Sequence, residues 1–365
     1  MTEHVRKFSR LVDNFGRIHD YLRISLTEKC NLKCLYCMPD GYIHKNKNSA
    51  NMIQSKEIIF LADYFCHRGV RKIRLTGGEP FMRPDLLQII KSLNYLKCEH
   101  EHFTEIGMTT NGVKFKRNAA ALKESGLNSV NISLDSLKSE RVLKLTGQAT
   151  FKHSMAAIIK AVETGFERVK VNCVVMRNFN DDELCDFVEL TRYLPIEVRF
   201  IEYMPFSGNN WEMSKLVSYK EMLNVIQNSY PNLTPLCGQT SDVAKLFLIP
   251  GWLGKVGFIT SMTENFCSGC SRLRLTADGN LRVCLHGNNE VSLVEILRKF
   301  NYPIIDQEGV IQLEKLNSNN TAELNTIYDQ LDKIVNQSLT KKSASHKGAI
   351  QLASSLNRPM VRIGG

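Results

Sequence analysis

Tyr21-Leu22-Arg23-Ile24-Ser25-Leu26-Thr27-Glu28-Lys29-Cys30-Asn31-Leu32-Lys33-Cys34-Leu35-Tyr36-Cys37 is the stretch on which the fold turns. Tyr21 to Leu26 predicts a short strand, and the cysteine segment follows it directly. Three thiols therefore project from one loop at the C-terminal end of a strand, the end where barrel folds carry their active sites. From this strand to residue 204, strand-like runs alternate with segments of helical periodicity, the pattern of repeated βα units around a parallel sheet. Six strands are predicted: Tyr21 to Leu26, Lys72 to Leu75, Glu105 to Thr109, Ser129 to Leu134, Lys170 to Val175 and Val198 to Tyr203. Leu86, Ile89, Ile90 and Leu93 recur at helical spacing, as do Met155, Ile158, Ile159 and Val162, so each set is expected to line one buried face. Asn180 with Glu183 reads as a capping box.

Six βα units are fewer than the eight of a closed barrel. The expected fold is therefore α/β, a partial (βα)6 TIM-like barrel over residues 1–204 with one open side. Past Met204 the alternation gives way to mixed segments, with helices predicted near Val291 to Phe300 and Thr321 to Leu339. Residues 205–365 are expected to form a smaller C-terminal domain covering the barrel mouth.

A chain of 365 residues with 43% hydrophobic content can bury a large core. It carries no apolar run of about eighteen residues, and its first twenty residues do not resemble a secretory or transit peptide. A cytoplasmic protein without a membrane segment is expected. In that setting eleven cysteines point to metal binding before disulfides, because thiols are kept reduced. Six of them fall into two groups, Cys30/Cys34/Cys37 and Cys267/Cys270/Cys284. The formal charge of +10 favours an anionic partner, but the basic residues are spread out and lack aromatic interleaving, which argues against nucleic acid.

Thiolates suit zinc and iron-sulfur clusters, and four would saturate a cubane. Three leave one iron open to a ligand. A structural zinc completed by His44 is the alternative for the first group, although structural zinc usually comes from CxxC pairs. The second group reads CxxC-x13-C, again three thiols, with a Cys3His zinc completed by His286 as its alternative. Arg272 and Arg274 follow at i and i+2, so in an extended segment both guanidinium groups face one side and form a fork suited to phosphate.

The CxxxCxxC spacing, with Tyr36 before the last cysteine, resembles the radical S-adenosylmethionine (SAM) superfamily. So does Thr76-Gly77-Gly78-Glu79-Pro80 at the end of the second strand. The resemblance narrows with Phe266 to Leu275, Asp20 to Arg23, Lys72 to Pro80, Thr109 to Gly112, Asn131 to Asp135, Val169 to Asn172, Glu197 to Met204 and the terminal Ile363-Gly364-Gly365. Together these resemble the GTP 3',8-cyclase family of molybdenum-cofactor biosynthesis. Two departures are modest: Thr27-Glu28-Lys29 stands where Thr-Asp-Arg is more usual, and Tyr302 to Asn320 matches no motif of the family.

That resemblance implies a radical SAM barrel, two [4Fe-4S] clusters on the six cysteines, and SAM held by Tyr36, Gly78, Glu79, Ser133 and Met204. It implies GTP contacts at Arg23, Lys72, Arg74, Thr109, Lys170, Arg199, Arg272, Leu273 and Arg274, with guanine at the open iron of the second cluster. Catalytic importance falls on Arg23, Arg272, Arg274, Gly364 and Gly365. The implied reaction takes hydrogen from C3' of the GTP ribose, joins C3' to C8 of guanine and gives 3',8-cyclo-7,8-dihydro-GTP. An external one-electron donor is required; a homodimer and contact with the next enzyme of molybdopterin synthesis are the further partners considered. The rival readings are a radical SAM peptide or protein maturase with an auxiliary cluster, and a zinc-binding, basic nucleic-acid module without catalysis.

Overall fold

The computed structural model describes residues 8–38, 52–238, 241–300, 318–355 and 357–364. Twelve strands make one sheet: β1 (Tyr21–Ser25), β2 (Lys72–Thr76), β3 (Glu105–Thr110), β4 (Ser129–Ser133), β5 (Arg168–Val175), β6 (Ile196–Glu202), β7 (Thr234–Pro235), β8 (Lys245–Leu248), β9 (Lys255–Ile259), β10 (Arg272–Leu275), β11 (Asn280–Arg282) and β12 (Glu290–Ser292). Their order is β12-β11-β10-β1-β2-β3-β4-β5-β6-β9-β8-β7. The six predicted strands are present within two residues of their expected ends, and they lie side by side, all parallel. The described sheet keeps two edges, β12 and β7, so the barrel is partial, as expected.

Sequence periodicity alone did not show how the second half of the chain joins this sheet. β10 runs parallel beside β1 and β9 runs parallel beside β6, so the barrel wall gains a parallel strand at each end of the six. Antiparallel strands extend it further on both sides. β10 is only Arg-Leu-Arg-Leu, too short to register as a βα unit, yet its alternation fits the wall.

Alternation along the parallel strands separates two faces. Leu22, Ile24, Ile73, Leu75, Ile106, Val130, Ile132, Val171, Val198, Phe200, Phe258 and Leu275 are buried in one apolar core shared with the surrounding helices. The helix Leu86–Glu99 buries Leu86, Ile89, Ile90 and Leu93 against it, as its periodicity predicts. The helix Phe151–Glu163 is turned from expectation. It buries Ser154, Ala157, Ile158 and Ala161, while Ile159 is 44% exposed. Small side chains let this helix approach closely, and Ser154 Oγ reaches the Asn111 carbonyl at 2.9 Å.

Asn180 and Glu183 do not form a capping box. Glu183 accepts from Ser136 Oγ at 2.8 Å, and Asn180 Nδ2 donates to the Asp135 carbonyl at 2.6 Å. Both residues tie the loop after β4 to the segment that follows β5. No helix of the described residues is long and apolar enough to cross a membrane.

Candidate active site

The loop of the first cysteine group leaves the C-terminal end of β1 and is fastened on two sides. Lys33 and Leu35 donate backbone bonds to Thr146 and Leu145, each at 3.0 Å, and Asn111 Nδ2 donates to Asn31 Oδ1 at 2.8 Å. The Gly77-Gly78 turn lies directly on this loop, where Gly78 N donates to the Thr27 carbonyl at 2.6 Å and Glu79 N to the Lys29 carbonyl at 2.9 Å. A Cβ at Gly78 would stand 2.3 Å from the Lys29 carbonyl oxygen, so only glycine permits this approach. Burial pushes the Cys30 thiol up to about 11 and, with neighbouring charge, the Cys37 thiol up to about 12. Ligation would therefore have to displace protons.

Glu79 is buried beside that turn. Its carboxylate accepts from Thr110 Oγ1 (2.8 Å), Asn111 N (2.8 Å) and Phe81 N (3.2 Å). Desolvation nevertheless pushes it up to about 7. Tyr36 donates its hydroxyl to Asp135 at 2.9 Å, and Asp135 also accepts from Val174 N at 2.8 Å. Burial pushes Asp135 up to about 6. Tyr36, Gly78, Glu79, Ser133 and Met204 thus gather at the C-terminal ends of β1, β2, β4 and β6.

The second cysteine group lies at the other end of the strands. Cys267 to Cys270 forms the turn that leads into β10, whose first residue, Arg272, stands in register with Tyr21 at the start of β1. Cys284 follows β11, which returns antiparallel beside β10. Burial raises Cys270, but the Arg272 and Lys342 cations beside it dominate and bring it down to about 6. Four zinc ligands at about 2.3 Å from the metal would lie within about 4 Å of one another. Among the described residues only Asp63, His67 and His100 bring three metal-ligating atoms within 4.8 Å of one another. Neither cysteine group brings all three of its sulfurs that close together. His286 stacks on Phe206 instead, with ring centroids 5.6 Å apart, and burial, His346, Arg274 and Arg282 push it down to about 3. His44 lies outside the described residues.

Between the two groups, the face of the sheet opposite the apolar core is polar and cationic. Strand register sets Arg274, Arg23, Arg74 and Gly107 in one row, Arg272, Tyr21, Lys72 and Glu105 in a second, and Thr109, Asn131, Lys170 and Glu197 in a third. Arg199 lies in a fourth row with Ser133 and Asn172. Basic side chains on this face include Arg23, Lys72, Arg74, Lys170, Arg199, Arg272 and Arg274, and the carboxylates of Glu105 and Glu197 lie among them. Burial, Arg199 and Arg74 push Lys170 down to about 6. Burial and the neighbouring arginines bring Arg23 down to about 10 and hold Arg274 well below its ordinary range. Thr109 Oγ1, Asn172 Oδ1 and Ser25 Oγ are buried here without a hydrogen-bond partner among the described residues.

Two of the expected residues stand apart from the others on this face. Leu273 is fully buried in the apolar core on the opposite face, because it alternates with Arg272 and Arg274; only its main chain belongs to the strip. Arg74 is committed to protein partners: Tyr21 Oη, Asn131 Oδ1 at 2.9 Å and Glu105 at 3.5 Å. Gly107 makes room for it, since a Cβ there would lie 2.8 Å from its guanidinium carbon. Arg74 therefore shapes this face and repels the other cations more than it offers a free fork.

The chain end enters the same space. Arg358 pairs with Asp278 at 2.9 Å and Arg362 with Glu28 at 2.9 Å, while Val361 and Ile363 are buried. The Gly364 carbonyl accepts from Arg274 at 2.7 Å, and a Cβ on Gly364 would lie 2.4 Å from Thr76 Oγ1. Gly365 lies outside the described residues.

Residues 24–191 match the Radical SAM superfamily model, and residues 196–348 match that of Molybdenum Cofactor Synthesis C. Over 355 residues the chain is 45% identical to "GTP 3',8-cyclase, mitochondrial" of Arabidopsis thaliana, covering 97% of this chain and 83% of that one. The chain belongs to the GTP 3',8-cyclase family. It is also 47% identical over 365 residues to "Molybdenum cofactor biosynthesis protein 1" of Mus musculus, spanning about half the length of that protein (53%). The solved structure of Streptococcus suis SuiB bound to S-adenosylmethionine shares the fold, with a TM-score of 0.56 at 14% identity, covering 77% of this chain and 65% of that one.

The clusters and SAM that this radical SAM family implies fit the residues present. Each cysteine group offers three soft donors, and the buried, multiply bonded Glu79 carboxylate stands at the loop where a SAM amino group would need an anion. Several contributors escaped the sequence reading. Asp135, which orients Tyr36, was visible only as part of a motif. Arg17, which donates to the Cys267 carbonyl at 2.7 Å, and Lys342, beside Cys270, are separated from the cysteines by too much chain for any spacing rule.

Proposed function

We propose that this GTP 3',8-cyclase family member converts GTP to (8S)-3',8-cyclo-7,8-dihydroguanosine 5'-triphosphate, a step of molybdenum-cofactor biosynthesis. The observation that carries the reading is the buried cationic face between two three-cysteine groups. A triphosphate supplies the negative charge that face needs, and a nucleotide is long enough to reach from one group toward the other. The names of two relatives, 45% and 40% identical, agree with this substrate.

The first cluster with SAM supplies, when bound, the radical that draws hydrogen from C3'. Cys30, Cys34 and Cys37 would hold that cluster; Tyr36, Gly78, Glu79, Ser133 and Met204 orient SAM at the C-terminal strand ends, Glu79 facing its amino group. Arg23, Lys72, Lys170, Arg199, Arg272 and Arg274 hold the triphosphate, with Thr109 donating its unpartnered hydroxyl, and Arg74 braces the face. The guanine points to the second group, Cys267, Cys270 and Cys284. Gly364, held by Arg274, closes the space and excludes water from the reacting ribose.

In the overall reaction the C3' hydrogen leaves with 5'-deoxyadenosine and a C3'–C8 bond forms. One external electron cleaves SAM, and a second electron with one proton completes the product. Residues 1–204 are taken as the barrel domain and 205–365 as the domain that completes its wall and mouth. A cytoplasmic setting, a one-electron donor protein, a homodimer and transfer of product to the next enzyme of the pathway belong to the same proposal. Anaerobic incubation with GTP, SAM and a reductant should give the cyclic nucleotide and 5'-deoxyadenosine in equal amounts. Deoxyadenosine formed without a GTP-derived product would overturn the substrate assignment.

A further inference from the structure

Lys342 belongs to neither cysteine pattern, follows the helix Ser318–Thr340 and is 5% exposed. Its Nζ lies 3.5 Å from Cys270 Sγ and 3.2 Å from the Arg272 carbonyl. These are its side-chain hydrogen bonds among the described residues, and neither partner is a carboxylate. An ammonium group buried this deeply needs an anion nearby, because desolvation disfavours its charge. The sulfur of Cys270, a thiolate when it ligates a cluster, is the anion on hand.

The segment that carries Lys342 is secured by other bonds. Arg17 donates to the carbonyls of Ser343 (2.7 Å), Ala344 (2.8 Å) and Cys267 (2.7 Å), and its Nε pairs with Asp13 at 2.7 Å. His346 Nε2 lies 2.7 Å from the Ser261 carbonyl. Residues 342–346 therefore wrap the Cys267–Cys270 turn as a strap. The strap does not depend on the lysine side chain.

We infer that Lys342 sets the reduction potential of the second cluster by directing a fixed positive charge and an N–H···S bond at its Cys270 ligand. The inference rests on the reading that Cys267, Cys270 and Cys284 hold a [4Fe-4S] cluster. Such potentials depend on net charge and on hydrogen bonds to the sulfurs. Reduction adds one negative charge, so a buried cation at a ligand sulfur favours the reduced form and raises the potential. Arg272 also faces Cys270, but its place on the cationic face gives it a second duty toward phosphate. Lys342 is a positioning and tuning residue: it touches a ligand of the cluster and no substrate atom.

The test compares Lys342→Met, Lys342→Gln and Lys342→Arg with the parent full-length chain, anaerobically reconstituted, by EPR-monitored redox titration together with iron and sulfide analysis. The parent should hold about eight irons per chain. In Lys342→Met the second cluster should become at least tenfold harder to reduce, a fall of about 59 mV for one electron, while the first cluster keeps its potential. Lys342→Gln, which can still donate to sulfur, should fall between, and Lys342→Arg should stay near the parent. A Met variant with full iron and an unmoved potential overturns the inference. If Met and Gln variants both hold only the first cluster, the lysine is a structural support and tuning is refuted. A parent with about four irons per chain refutes the two-cluster reading itself, and the inference falls with it.

Discussion

Lys170 offers a quantitative test of the cationic face. Burial, Arg199 and Arg74 depress its pKa to about 6, so in the ligand-free protein at pH 7.5 it is mostly neutral. Triphosphate oxygens placed against it would raise the pKa toward the ordinary lysine range. The sign follows by linkage: the complex binds more protons than the free protein between those two pKa values, so affinity falls as pH rises through that window. Binding at pH 7.5 should take up close to one proton, and Kd should rise about tenfold per pH unit from about 7 to 9. Arg23, at about 10, stays charged over this range, and the terminal phosphate of GTP titrates near 6, below it. Calorimetry of the cluster-loaded protein in two buffers of different ionisation enthalpy counts the protons directly. Lys170→Met should bind GTP more weakly at pH 7, with no uptake and a flat profile to pH 9. A parent protein with less than about 0.3 proton taken up, or a Met variant with undiminished uptake, would refute the reasoning.

Glu79→Gln keeps the shape of the side chain but removes the anion and sets an amide NH2 against the donors Phe81 N, Thr110 Oγ1 and Asn111 N. SAM should bind roughly 10- to 100-fold more weakly by calorimetry, with iron content unchanged. Arg274→Ala loses the bond to the Gly364 carbonyl, and deleting Gly364 and Gly365 loses the same contact. The deletion should lower kcat/KM by about 100-fold and Arg274→Ala, which also loses a phosphate contact, by more; the double variant should fall little below Arg274→Ala alone, and fully additive losses would show that the shared contact does not matter. Cys284→Ser should reduce iron from about eight to about four per chain and abolish the GTP-derived product, while SAM cleavage by the first cluster persists.

The barrel was legible because its signals are local and repeated. Each of the strands Tyr21–Ser25 through Ile196–Glu202 is a short run between helical stripes, and CxxxCxxC and Gly-Gly-Glu-Pro sit where strands end. The flanking strands were not legible, because Arg272–Leu275 and Lys255–Ile259 pair with β1 and β6 across long stretches of chain. The stripe on Phe151–Glu163 misled for a related reason. Hydrophobicity marked Ile159, whereas close packing selected Ala157 and Ala161. Within the site, residue types told of phosphate and soft metal, but only register shows that Leu273 turns away, and only burial shows that Arg74 is spent on Tyr21, Asn131 and Glu105. Lys342 and Arg17 reach the second cysteine group from the two ends of the chain, a relation that no spacing encodes.

The central claim is that GTP lies across the cationic face with its base toward Cys267, Cys270 and Cys284 and its ribose toward the Cys30–Cys37 loop. A crystal structure of the anaerobic, cluster-loaded protein with GTP tests this most directly. The account predicts triphosphate oxygens within hydrogen-bond distance of Lys170 and of Arg23 or Arg274, and the guanine against the second cluster. A cavity of about 780 Å³ before the N-terminal ends of the strands is lined by Arg10, Arg68 and Arg71 together with Ser268, Gly269 and Ser271 beside the second cysteine turn. A nucleotide seated there, or on the inner face with its guanine turned away from the second cysteine group, would contradict the account.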